Sequence, residues 1–253
     1  MLDPYEVIQD RGFTARIIPD PDAQNPRTEF DNFGTMLCAH GRYTLGDEQF
    51  TDADEIREHL LNMLDEDWEE FQDYMNDEWY NKRYDYHYEQ GTGEYLTRSG
   101  VAHRKAAADV ERILDAKAAK ILDAAGAVVL PLYLYDHSGI TMNTTGFLSS
   151  WDSGQVGVIY ATTADIVKEY GEDTPETREK ATALLRGEVE TYDQYLTGDV
   201  FGIVLTRDET DEDGDEIDPE DCEELDSCWG FFGAEYAEQT AREWIDAHAS
   251  VDN

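Results

Sequence analysis

The stretch 129–161, "VLPLYLYDHSGITMNTTGFLSSWDSGQVGVIYA", carries the main evidence for the architecture. Its two ends, "AVVLPLYLY" (127–135) and "QVGVIYA" (155–161), are dense in β-branched and aromatic residues and read as strands. A shorter strand, "GITMNT" (139–144), lies between them. The three residue types of a nucleophilic triad stand side by side at Asp136, His137 and Ser138. Consecutive side chains on extended backbone point to opposite faces, so they do not converge as nucleophile, base and orienting group. An Asp at the first position and Gly139 at the last suit a tight turn instead. Asp152, Ser153 and Gly154 repeat the pattern and read as a second turn.

On either side of this block, helical and strand patterns alternate without an internal repeat. "FTARII" (13–18) is strand-like, and the Pro, Asp and Asn punctuation of 19–36 reads as loop. In 52–90 apolar residues recur at Ile56, Leu60, Leu64, Trp68, Phe71 and Met75, a helical period opened by an Asp52/Glu55 cap signal. The tyrosine-rich segment 80–95 has no clear pattern. An alanine-rich helix is expected over 101–125, closed by Gly126. Helices follow at 162–171 and 173–196, the latter with Thr174 as cap and Pro175 as its first residue. "GDVFGIVLT" (198–206) reads as a strand, 208–226 as an exposed acidic loop, "SCWGFFG" (227–233) as a short strand or turn, and 234–249 as an amphipathic helix. The expected fold is α+β, a mostly antiparallel sheet with packed amphipathic helices. It forms a single domain over 1–253, with a variable helical insertion at about 52–125 and an acidic loop at about 207–225.

Charge narrows the setting. The 253 residues hold 58 Asp and Glu against 19 Lys and Arg, a net charge of -39. In dilute buffer such self-repulsion opposes compaction. At molar salt the Debye length falls to about 3 Å and the repulsion is screened. A high-salt cytoplasm is therefore the expected location. Direct nucleic-acid binding is not expected, because no basic stripe is present. The longest apolar run is too short for a bilayer and contains a proline, and no secretory signal is visible, so no membrane contact is expected.

Metal motifs are weak. Cys38, His40, Cys222 and Cys228 lack the spacing of a structural zinc site, and the odd cysteine count argues against a disulfide framework. The acidic run around Gly214 departs from an EF-hand at its first ligand position, held by Glu209. No cofactor is expected beyond cations loosely gathered by the acidic loop.

Six blocks in one order carry a resemblance: "NPRTEFDNFGTM" (25–36), "HGRYTLGDE" (40–48), "LPLYLYDHSGITMNTT" (130–145), "WDSGQVGVIY" (151–160), "YDQYLTGDVFGIVL" (192–205) and "DSCWGFFG" (226–233). The chain resembles a family of uncharacterised accessory proteins encoded by tailed bacteriophages, archaeal viruses and related mobile elements. At 145–150, "TGFLSS" stands where relatives carry a phenylalanine, serine and cysteine-proline run. The resemblance implies a viral accessory setting and no activity. The expectation is a non-enzymatic protein that binds a host or viral macromolecule, the partner being an unidentified host or viral protein. Its surface would be built from Arg27, Asp31, Asn32, His40, Arg42, Tyr43 and Asp47, with the turns at His137 and Asp152. Two alternatives stand beside it. One is a hydrolase or metal-assisted enzyme in which His40, Asp136, His137 and Asp152 converge; the other is an acidic nucleic-acid mimic acting against host defence.

Overall fold

Alternation of inward leucines and outward tyrosines makes Val128–Asp136 the strand expected of it, with Leu132 and Leu134 buried and Tyr133 and Tyr135 half-buried. The computed structural model describes residues 3–52, 55, 56, 59, 126–148 and 152–250, with the backbone alone at 86–89, 94–97 and 251. The helices expected over most of 52–90 and over 101–125 lie outside the described residues. At 86–97, where residue type alone shows no pattern, Tyr86–Glu89 (β5) pairs with Glu94–Thr97 (β6) as an antiparallel hairpin.

The class is α+β, as expected, and its sheets are mostly antiparallel. The chain divides into two compact units: residues 1–32, 132–155 and 184–253, and residues 33–131 and 156–183.

In the first unit, β1 (Glu6–Asp10), β2 (Phe13–Pro19), β10 (Val200–Arg207) and β11 (Glu224–Phe232) form an antiparallel sheet in the order β1-β2-β10-β11. Arg11 and Gly12 both take positive φ, the geometry of a two-residue hairpin turn, and join β1 to β2. One face of the sheet packs Phe13, Ala15, Ile17, Ile203 and Leu205 against the final helix (Ala234–Val251). That helix presents Ala237, Ala241, Ile245 and Ala249, four residues apart, as one stripe of mainly small side chains that lets it seat close to the strands. The acidic loop of 208–223 is exposed but anchored. Asp208 accepts from the Thr14 hydroxyl (2.6 Å), Glu220 pairs with Arg16 (3.2 Å), and Thr210 bridges Glu216. β11 already begins at Glu224, so the loop is shorter and the last strand longer than the sequence suggested. This unit also holds the β7–β8 hairpin, formed by β8 (Ile140–Asn143) and the part of β7 (Val128–Asp136) from Leu132 onward, in the register Leu134↔Met142 and Asp136↔Ile140.

In the second unit, β3 (Thr35–Ala39) pairs antiparallel with β9 (Ser153–Ala161) and parallel with β4 (Glu48–Phe50). Leu37, Ile56 and Tyr160 form its small buried cluster. Asp52 accepts from the Glu55 N–H (3.1 Å), the cap bond the sequence anticipated. A capping box at Thr162 and Asp165 starts α2 (Thr163–Tyr170), and Gly171 ends it in the left-handed region. Thr174 accepts from the Thr177 N–H (3.2 Å) ahead of α3 (Pro175–Thr197), which runs from this unit into the first. Arg178 hydrogen-bonds both oxygens of Asp173 and holds that carboxylate below its usual range.

The described chain departs from the sequence expectation in three places. The segment 19–36, read as loop, contains the single-turn helix α1 (Pro26–Glu29) and the start of β3. Ser153 and Gly154 do not form a turn; they open β9, and only Asp152 is a bend. The Asp136 N–H donates to the Asp152 carbonyl (2.8 Å), which ties the residue just before β9 to the end of β7.

Candidate functional site

The sequence-predicted residues fall into three groups. In the first unit, Asn25 caps α1 by accepting from the Arg27 N–H (2.9 Å). The Arg27 side chain is fully buried, and its Nη1 donates to Asn32 Oδ1 (3.0 Å) and Glu188 Oε2 (2.9 Å). Asn32 in turn donates to the carbonyls of Pro26 and Phe30, both at 2.9 Å. Arg27 and Asn32 thus brace the 25–32 turn from within, while Asp31 is exposed.

His40, Arg42, Tyr43 and Asp47 belong to the second unit. His40 Nδ1 accepts from the backbone N–H groups of Arg42 (3.2 Å) and Tyr43 (3.3 Å). Its ring stacks on Tyr43 (4.9 Å, 21°), and the Arg42 guanidinium lies 5.5 Å from the centre of the same Tyr43 ring. Asp47 clamps the loop to β3, accepting from the Met36 N–H (2.7 Å) and donating its own N–H to the Met36 carbonyl (2.9 Å). Gly46 is required there: it has φ +72°, and a Cβ would sit 2.7 Å from the Met36 oxygen.

Asp136 to Gly139 make the hairpin turn between β7 and β8, with Ser138 at φ 61°. His137, with 65% of its side chain exposed, reaches Asp152 across the strand ends, Nδ1 to Oδ2 at 3.4 Å. Tyr135 lies beside His137 (6.1 Å) and Phe147 (5.6 Å). The structure therefore joins His137 to Asp152, and joins Asp136 to Asp152 through the backbone. The arrangement presents an aromatic and imidazole surface with one carboxylate at its edge.

A cavity of about 620 Å³ in the first unit, lined chiefly by Asp20, Asp22, Gln24, Phe30, Trp229 and Phe232, has no counterpart among the sequence expectations. Its one sequence signal is the concentration of aromatic residues in two separate blocks, "EFDNF" (29–33) and "CWGFFG" (228–233). No disulfide joins Cys38, Cys222 and Cys228, and no three His, Cys, Asp or Glu side chains among the described residues are placed to hold a metal. Among the described residues no helix is long and apolar enough to cross a membrane. No family model, curated protein or solved structure matches the chain significantly.

Proposed function

We propose that the chain is a non-enzymatic accessory protein of a virus infecting a halophilic archaeon. In this reading it works in the high-salt host cytoplasm by binding a host or viral protein. The observation that carries the binding role is the outward face of β7–β8. Tyr133, Tyr135 and Phe147 stay half-exposed and His137 exposed, in a block where 128–163 holds only Asp136 and Asp152 as acids. The rest of the chain is dense in carboxylates, so a charge-poor aromatic face stands out as a contact surface. The six-block resemblance supports the viral setting, and the net charge of -39 supports the salt.

The face is tested by His137→Ala with Asp152→Asn. Both side chains lie at the surface, 65% exposed for His137 and 43% for Asp152, so stability should stay within about 1 kcal/mol, while recovery of the partner from infected cells at native salt should fall. A folded double variant that recovers the same partner in full would refute the choice of surface. The salt setting has its own check. The melting temperature should climb steeply between low salt and about 2 M KCl, as the carboxylates become screened. A melt that ignores KCl would remove the halophilic part of the proposal.

A further inference from the structure

We propose that the cavity beside Trp229 is a binding site for an arginine side chain on an extended segment of a partner protein. The site is made by a bulge. The β10–β11 register slips between Phe201 and Gly202, and Gly230 takes up the extra residue at φ +84°. Normal alternation would send Trp229 and Phe232 to opposite faces. The bulge turns both toward the cavity, while Phe231 goes to the core under the final helix. A Cβ on Gly202 would overlap the Trp229 ring, so the indole lies directly against strand β10. One side of the ring is thereby covered, and Trp229 remains 48% exposed. Phe30, 41% exposed, meets Phe232 edge-on at 5.7 Å and supplies a second aromatic wall.

Carboxylates complete the chemistry. The Asp20 N–H is tied to the Val200 carbonyl (2.8 Å), and its Oδ1 accepts from the Asp22 N–H (3.0 Å). Asp20 Oδ2 and the Asp22 carboxylate face no basic group among the described residues, and Arg27 of the following turn is committed to Glu188 and Asn32. A flat aromatic face next to two carboxylates on a pinned turn complements a planar cation with several donors. Guanidinium stacks on an indole while its N–H groups reach carboxylates, which an ammonium point charge does less well. The cavity is open, as insertion of a side chain from a partner requires.

The test uses the full chain and a fluorescein-labelled serine–glycine heptapeptide with one central arginine, followed by anisotropy in 2 M KCl. At that salt the general attraction of an acidic surface for any cation is screened, and contact-range interactions remain. Saturable binding is expected. Replacing the arginine by citrulline, which keeps the shape and loses the charge, should weaken it about tenfold, as should Asp22→Asn or Trp229→Ala. Asp22 is exposed, so its variant should melt with the parent and decides the matter even if Trp229→Ala folds poorly. No saturable binding would overturn the assignment. So would equal affinity for the citrulline peptide, or undiminished affinity in the folded Asp22→Asn variant.

Discussion

Arg27→Ala is expected to destabilise the first unit by about 3–5 kcal/mol, the cost of removing one partner of a buried ion pair. The Arg27 side chain has no exposed surface and Glu188 has 12%, at a separation of 2.9 Å. Truncation leaves the Glu188 carboxylate in place with a principal partner gone, and takes from Asn32 the donor that joins it to α1. Urea unfolding at fixed KCl measures the loss. Arg42→Ala serves as the comparison, because Arg42 is exposed and its change should cost under about 1 kcal/mol. Equal midpoints for the two variants would mean that the buried pair contributes little to stability.

Gly157→Ala should be the most damaging single methyl in the second unit, at about 3 kcal/mol or more. Gly157 faces Cys38 in the β3–β9 ladder. A Cβ there would overlap the Leu37 carbonyl oxygen and lie 3.0 Å from the Cys38 Cα. Both obstacles are backbone, so no rotamer change relieves them; the strands must part. Gly154→Ala, in the same strand, meets nothing within 4 Å and should change stability by no more than about 0.5 kcal/mol. If the two alanine variants unfold at the same urea concentration, β3 and β9 do not approach so closely.

Part of the candidate site is legible in the sequence because its determinants are local. The Asp136 to Gly139 turn follows from residue type. The pairing of His137 with Asp152, at 3.4 Å, joins two of the four residues that the sequence offers as a convergent set. The roles of Arg27, Asn32 and Asp47 are not legible in this way. An arginine that contacts a partner and one that braces a turn are identical in sequence; only burial against Glu188, 161 residues away, separates them. The aromatic cavity is hidden for the same reason. Its walls come from the turn after β2 and from the bulge in β11, which meet only because β10 lies between those strands.

Residue order alone was enough for the α+β class, for most strands and helices of the described chain from 128 onward, and for the caps at Asp52 and Thr174. Those features depend on periodicity and cap chemistry, both readable within a few residues. Three others came from the assembled fold: "TMLCA" (35–39) is a strand, Ser153 and Gly154 extend β9, and Gly230 bulges β11. A short or glycine-containing segment has little preference of its own, and hydrogen bonds to a distant strand supply what local propensity does not.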